Sequence, residues 1–504
     1  MKKLVRIEIQ PLGKTVDVEA GAPLRDVLFD YGVEFPCGGR GVCRGCRIKV
    51  LNGNIPITPE QESVLTAEEL AQGWRLACLC AAENDLALEI AQWEAPILAD
   101  HSAFEFVPGE GLGVAVDLGT TTIAAQLLNL QTGEVLAVKS SLNPQARHGA
   151  DVMSRIHFAL DLDGQKILNQ LIRREIGSMI LDLLDSIPPE NTIGSIAIAG
   201  NTAMHNLFCG INVKPLGQYP FEPLDDGLQE APASALGWSL PGDPLVRFLP
   251  GLGGFVGSDI LAGIMAVKMY ESSRLAGLID LGTNGEIVLG NRDRMVCAST
   301  AAGPAFEGAR ISMGMRAAAG AVSQVRVVNG ELIGRVLGEI EPRGICGSGL
   351  VDAIAAGLEL KKIHPSGRLN GGEEVFIVCP PVTLKQRDIR ELQLAKGAIA
   401  AGVRILLDRL GAKIEEIDRV YLAGAFGNYI NIQSAIRIGL LNFPPQKIVP
   451  SGNTALLGAK LSLFQFDRQK MLMEHIIKKT EHISLNEDPQ FQQIYVEEMT
   501  FPDS

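Results

Sequence analysis

Apolar and polar residues alternate strictly at the start of the chain. Val5, Ile7 and Ile9 are separated by Arg6 and Glu8. Beyond a turn at Pro11, Leu12 and Gly13, Val16 and Val18 alternate with Asp17 and Glu19. This alternation predicts a β-hairpin. From Pro23 the spacing lengthens. Leu24, Val27, Leu28 and Tyr31 share one face of a short helix, and Gly32 is placed to stop it. Residues 47–51 and 86–90 read as further strands, so the order is strand, strand, helix, loop, strand. Later in the chain the pattern becomes continuous. GVAVD (113–117), GLID (277–280) and VYLA (420–423) are apolar runs that each enter a turn of small residues. Runs of this kind predict apolar strands. Residues 396–410 read as an apolar helix before the third of them.

The loop between the short helix and the strand at 47 carries CGGRGVCRGC, a C-x5-C-x2-C run of Cys37, Cys43 and Cys46. Three close thiolates plus one distant thiolate form the ligand set of a 2Fe–2S ferredoxin. Gly38, Gly39, Gly41 and Gly45 allow the backbone to approach a cluster and point N–H groups at sulfur. The segment RLACLC offers Cys78 and Cys80 for the fourth position. In an extended strand both would face the same way, so periodicity leaves both open. The segment resembles the ferredoxin pattern R-L-A-C, which implies Cys78. A zinc site usually shows two C-x2-C knuckles, and here there is one. Five of the nine cysteines precede residue 81. That is metal-site usage in a reducing compartment and predicts a cytoplasmic protein. Cys209, Cys297, Cys346 and Cys379 are scattered and read as small buried residues.

The first two apolar runs end in the same words. Asp117 is followed by Leu118, Gly119, Thr120, Thr121 and Thr122, and Asp280 by Leu281, Gly282, Thr283, Asn284 and Gly285. Each turn leads into a returning strand, so the chain contains an internal duplication. A tight Gly/Thr turn presents N–H groups and hydroxyls to phosphate oxygens. The aspartate at the strand end suits Mg²⁺, usually through water. The third run leads into Gly424, Ala425, Phe426 and Gly427, and Gly452, Asn453, Thr454 and Ala455 read as a further helix start at the cleft. These elements resemble the ATPase superfamily of sugar kinases, Hsp70 and actin (the ASKHA superfamily). The likeness implies that Thr120, Thr121, Thr122, Thr283 and Asn284 contact phosphates and that Gly424–Gly427 contacts the nucleoside. It also implies that Asp117 and Asp280 position Mg²⁺ and the attacking water. Glu286 and Asp259 are candidates for the carboxylate that orients that water.

The predicted fold is therefore α+β and α/β. A β-grasp ferredoxin domain (1–93) precedes a linker (94–110), two ribonuclease-H-like lobes (111–275 and 276–470) and a tail (471–504). The linker reading would let the ferredoxin domain move, and Phe104 and Phe106 keep open a segment packed on the lobes. A net charge of −13 gives no support for nucleic-acid binding. No long charge-free apolar span suggests a membrane helix, and charges interrupt MKKLVRIEIQ where a signal peptide would be apolar.

Blocks across the whole chain resemble reductive activators of corrinoid proteins. They are NPQARHGADVMSRI (143–156), AGNTAMHNLF (199–208), FLPGLGGFVGSDILAG (248–263), STAAGPAFEGARIS (299–312), GICGSGLVDAIA (344–355) and YLAGAFGNYIN (421–431). The resemblance implies an ATP-hydrolysing electron-transfer activator. Its 2Fe–2S cluster would deliver one electron to a corrinoid methyl-carrier protein and return Co(II) to Co(I), with ATP and Mg²⁺. It also implies an upstream donor such as a ferredoxin or flavoprotein, and a homodimer is expected. The alternatives are an ATP-driven donor to a non-corrinoid metalloenzyme, such as a dehydratase or reductase, and a small-metabolite kinase.

Overall fold

The structure is a computed structural model. It describes residues 3–503 apart from 11, 30, 32, 34, 36–38, 40, 42–45, 91–103, 186, 189–191, 309 and 428. The hairpin of Leu4–Gln10 and Lys14–Glu19 forms in the expected register, with Val5 opposite Val18 and Ile7 opposite Val16. Leu4–Gln10 also pairs in parallel with Leu86–Ile90, and Arg47–Asn52 and Trp74–Leu76 complete a five-stranded sheet. Ile7, Ile9, Ile48 and Leu88 point to one side and are fully buried against Leu24 and Leu28 of the helix Leu24–Phe29. Burial of one sheet face on one helix is the β-grasp core. Two short helices, Pro59–Val64 and Ala67–Ala71, were not foreseen. Their starts are capped by Thr58 and Thr66, whose side chains accept from Gln61 N and Glu69 N.

Two six-stranded sheets follow. In the first, Leu112–Leu118 is central. It pairs antiparallel with Thr122–Asn129, which pairs antiparallel with Val135–Leu142. On its other side lies Ile193–Gly200 in parallel, then Leu245–Phe248 in parallel. In the second, Ala276–Leu281 is central, with Gly285–Gly290 and Met295–Thr300 antiparallel on one side and Arg419–Ala423 and Ile448–Gly452 parallel on the other. The duplicated motif thus has a duplicated topology. Val114, Ala115 and Val116 are fully buried, as are Leu278 and Ile279, because each motif strand is covered on both faces. The helices Ser258–Ala266 and Thr454–Ser462 cross between the lobes so closely that a Cβ at Gly458 would overlap the Ala262 carbonyl.

Three sequence expectations need correction. The segment 471–504 is no separate tail. Helix Phe466–Lys479 runs across its proposed start, and Thr480–His482 joins the edge of the second sheet beside Met295–Thr300. Its end is tied down where Lys396 Nζ donates to Thr500 O at 2.9 Å and Phe501, 1% exposed, fills the core. The described part of the 94–110 linker is also packed. Phe104 and Phe106 lie 5.7 and 4.7 Å from Phe464, and Lys268 bonds Glu105 at 2.6 Å. Two aromatic rings outweigh the Pro and acidic residues that suggested mobility. Finally, the helix expected at 396–410 begins at Gln386 and ends at Leu410. Charged residues among 387–391 obscured its apolar stripe, although Ile389 and Leu392 are fully buried.

Candidate active site: a cleft between two phosphate turns, beside a cysteine loop

Each DLGT turn is closed by its own backbone. Gly119 N donates to Thr122 O at 3.1 Å, and Gly282 N donates to Asn284 O at 3.0 Å. The registers place Asp117 opposite Ala124 and Asp280 opposite Glu286, one residue from each turn. The first turn is held from outside as well. Asn143 Nδ2 donates to Gly119 O at 2.9 Å, and Asn201 Nδ2 donates to Thr120 Oγ1 at 2.8 Å. Thr120 is therefore committed within its own lobe, whereas Thr121 faces the opposite lobe. Its Oγ1 stands 3.3 Å from Thr283 Oγ1. Thr122 contributes the carbonyl that closes the turn.

Asp117, Asp259, Asp280 and Glu286 gather at the base of this cleft. Burial, opposed by a hydrogen bond from Asn453, holds Asp117 up at about 6. Burial and then the Asp117 charge push Asp280 to about 7, and burial with Asp280 and Asp117 pushes Asp259 to about 8. Glu286 is raised well above its ordinary value by burial and by Asp259 and Asp280, while Ser299 and Asn284 bond its carboxylate. Asn453 Nδ2 reaches across from the second lobe to Asp117 Oδ2 at 2.7 Å while its own Oδ1 caps the helix Thr454–Ser462. Among the described residues no three such side chains converge closely enough to hold a bare cation. The arrangement fits a hydrated Mg²⁺ that keeps its waters and shares phosphate oxygens.

These carboxylates give a pH prediction. Their folded pKa values exceed the unfolded value of 3.8. The folded protein therefore holds more protons than the unfolded chain between about pH 4 and 8. The resulting stability is complete below the unfolded pKa and is lost as pH rises through the folded values. Tm of metal-free protein should fall between about pH 6 and pH 8.5, and Asp259→Asn should flatten the slope. A wild-type Tm that rises over this window would contradict the electrostatic reading.

The nucleoside motif borders the same acids. Gly424–Gly427 forms a single helical turn, and Gly424 adopts φ +85°. A Cβ there would stand 2.5 Å from Asp280 Oδ1, so the second phosphate strand and this turn pack without a side chain between them. Phe426 stacks on Phe306, centroid to centroid 4.8 Å. Ala425 belongs to the same turn. Phe306 leads to Glu307, which sequence reasoning did not single out. Thr283 Oγ1 donates to Glu307 Oε1 at 2.7 Å, and Thr121 Oγ1 donates to it at 3.2 Å. Asn143 and Asn201 were also missed as site residues, and Asn453, expected at a helix start beside the cleft, makes a bond to Asp117 that was not foreseen. Isolated polar residues in Gly-rich loops have no periodicity to reveal them. His205, in contrast, is structural, its ring nitrogens bonded to Asn206 Oδ1 and Gly227 O at 3.0 Å each.

In the β-grasp domain, Cys37 and Cys43 lie outside the described residues. Cys46 and Cys78 are neighbours, because Ala77 N donates to Cys46 O at 3.0 Å. Cys78 sits in a helical turn, Ala77–Leu79, rather than in a strand. Cys78 and Cys80 therefore do not share a direction. Cys80 is buried in the domain core, its Sγ donates to Leu76 O at 3.0 Å, and burial pushes its thiol up to about 12. A neutral, engaged thiol is a poor ligand. Gly41 of the cysteine loop passes so close to the Cys78 turn that a Cβ would meet Leu79 Cδ1 at 2.8 Å. Soft sulfur donors in a glycine-rich cradle fit an iron–sulfur cluster.

The segment after Val135–Leu142 touches both regions. Asn143 N donates to Thr121 O at 2.9 Å. Leu142 and Ala146 pack into the β-grasp core, and the Arg147 guanidinium lies 4.5 Å above Phe29. Buried Arg155 holds the segment from beneath, with Nε bonded to Gly149 O at 2.8 Å and Nη1 to Gln145 Oε1 at 3.3 Å.

Three family descriptions match consecutive parts of the chain. Residues 7–83 match a 2Fe-2S iron-sulfur cluster binding domain, 112–272 the RACo middle region, and 275–504 the C-terminal domain of RACo, the ASKHA domain. The corrinoid activation enzyme RamQ of Eubacterium limosum is 35% identical over 449 residues, covering 81% of this chain and 74% of that protein. The Co(II) methylated amine-specific corrinoid protein reductase of Methanosarcina barkeri is 29% identical over 422 residues, covering 77% of each. A solved structure, a reductive activator for corrinoid, iron-sulfur protein, superposes with a TM-score of 0.70 at 28% identity, over 99% of this chain and 98% of that one. Consecutive family matches, together with a relative 35% identical over 81% of this chain, settle the kinship: the chain belongs to the RACo family.

Proposed function

We propose that the protein is an ATP-dependent reductive activator that delivers one electron to a corrinoid methyl-carrier protein and returns its cobalt from Co(II) to Co(I). The observation that carries this reading is the segment 142–147. One stretch of backbone bonds the first phosphate turn and seats the electron-carrying domain. A change in the turn on nucleotide binding is therefore felt where the cluster domain rests. The energetic demand is modest. A gap on the order of 200 mV corresponds to about 5 kcal/mol for one electron.

Cys37, Cys43, Cys46 and Cys78 would hold the cluster, and Cys80 stays in the domain core. When bound, the cluster supplies single-electron chemistry. Thr121 and Thr283 bind phosphate oxygens from opposite lobes. Gly119, Gly282, Asn284 and Gly285 shape the turns, and Gly424–Gly427 takes the nucleoside. Asp117 and Asp280 would hold a hydrated Mg²⁺, which would supply positive charge at the phosphates, with Asp259 and Glu286 beside them. In hydrolysis, water oxygen bonds to the terminal phosphorus. The bond to the bridging oxygen breaks, its electron pair leaves with ADP, and the water proton passes to a carboxylate or phosphate oxygen.

The electron enters from a ferredoxin or flavoprotein, the working form is a homodimer, and the compartment is the cytoplasm. No helix among the described residues is long and apolar enough to cross a membrane. The experiment that tests the function is to add reduced protein to a Co(II) corrinoid methyl carrier, with and without MgATP, and to follow the cobalt spectrum.

A further inference from the structure

Glu307 occupies the middle of the cleft without being one of the four acids at its base. It ends the turn Pro304–Glu307. Its carboxylate accepts from Thr283 at 2.7 Å and from Thr121 at 3.2 and 3.4 Å. It therefore draws on one hydroxyl from each phosphate turn, across the boundary between lobes. The charges that shift Asp117, Asp259, Asp280 and Glu286 do not include Glu307, whereas Glu307 acts on Arg155. Resting against the nucleoside motif through the Phe306–Phe426 stack, the turn carrying Glu307 touches both ends of the nucleotide site.

We propose that Glu307 is the catalytic carboxylate that holds the attacking water in ATP hydrolysis. This inference rests on the ATPase reading above and assigns a residue to it. A carboxylate bonded to two phosphate-binding hydroxyls stands where an anion belongs. When a triphosphate enters, Thr121 and Thr283 turn to its oxygens. Glu307 cannot follow them onto the phosphate, because like charges repel. Its oxygens are then unpaired beside the terminal phosphorus and accept a proton of water. The water oxygen bonds to phosphorus, the bond to the β-bridging oxygen breaks with its electron pair leaving on ADP, and Glu307 takes the proton.

The test is Glu307→Gln in the full-length, cluster-loaded chain. The amide oxygen still accepts from both threonines, so a purely structural clasp survives, but the proton acceptor is gone. With MgATP, kcat should fall by at least ~100-fold, the scale of general-base catalysis. KM for ATP and affinity for the non-hydrolysable β,γ-imido analogue should stay within about 3-fold. A kcat within about 3-fold of wild type overturns the proposal while leaving the ATPase reading intact. Absence of hydrolysis by the wild type overturns both. If the Gln variant loses its visible spectrum or analogue binding, Glu307→Asp takes its place. The shorter carboxylate should lower kcat by at least ~10-fold with KM unchanged, and an unchanged kcat again overturns the assignment.

Discussion

Replacing Asp117 with Ala should abolish ATP turnover and leave the absorption of the iron–sulfur cluster unchanged. Asp117 ends the first motif strand and receives Asn453 from the other lobe at 2.7 Å. It thus links the two halves where the proposed function places phosphate and cation. Loss of one such preorganised group reduces turnover by at least ~10²-fold. The fold should tolerate the change. Burial holds this carboxyl up at about 6, and its charge raises Asp280 and Asp259. Removal relieves that repulsion. Asp117→Asn, which keeps an acceptor for Asn453, should be equally inactive. Cys46 and Cys78 belong to a separate core, so the cluster spectrum serves as the internal control. Retained hydrolysis in either variant, measured as phosphate release, would remove Asp117 from the site.

The second large effect concerns the thiols. Cys46→Ser or Cys78→Ser should strip the chain of its 2Fe–2S absorption, whereas Cys80→Ser should leave it intact. The backbone bond from Ala77 to Cys46 brings the first two together, and Cys80 is turned into the core with its Sγ on Leu76 O. The iron content of each purified variant decides the matter. A cluster lost from Cys80→Ser and retained in Cys78→Ser would reverse the assignment. Because the ATP cleft is built from different strands, Cys46→Ser should still hydrolyse ATP while failing to pass electrons.

Much of the architecture was legible because it follows from pattern. The Val5/Ile7/Ile9 alternation places one sheet face inside, and two apolar strands that end in DLGT specify two like sheets. Gly424–Gly427 was placed by following the third apolar run. What stayed hidden depends on contacts between distant segments. Glu307 becomes interesting only when Thr121 and Thr283 arrive from opposite lobes. Asn453 looks like an ordinary cap until its amide reaches Asp117. Cys78 and Cys80 were indistinguishable by periodicity because a helical turn, not a strand, carries Cys78. Phe104 and Phe106 sit in a stretch whose composition reads as a linker, and only the Phe464 side chain explains their place. The start of the tail was misplaced for a similar reason. Its strand Thr480–His482 is short and half-buried, and it forms only on an existing sheet edge.

The central claim is that nucleotide hydrolysis in one part of the chain drives electron delivery from another. It is tested most directly by an anaerobic titration in which reduced protein meets a Co(II) corrinoid methyl carrier while cobalt and cluster absorption are followed together. Co(I) should appear only with MgATP, the cluster should be oxidised in step, and Asp117→Ala should leave cobalt as Co(II). Co(I) formation at the same rate and extent without nucleotide would contradict the coupling. Cobalt that stays Co(II) with reduced cluster and MgATP, across several such carriers, would contradict the corrinoid as target.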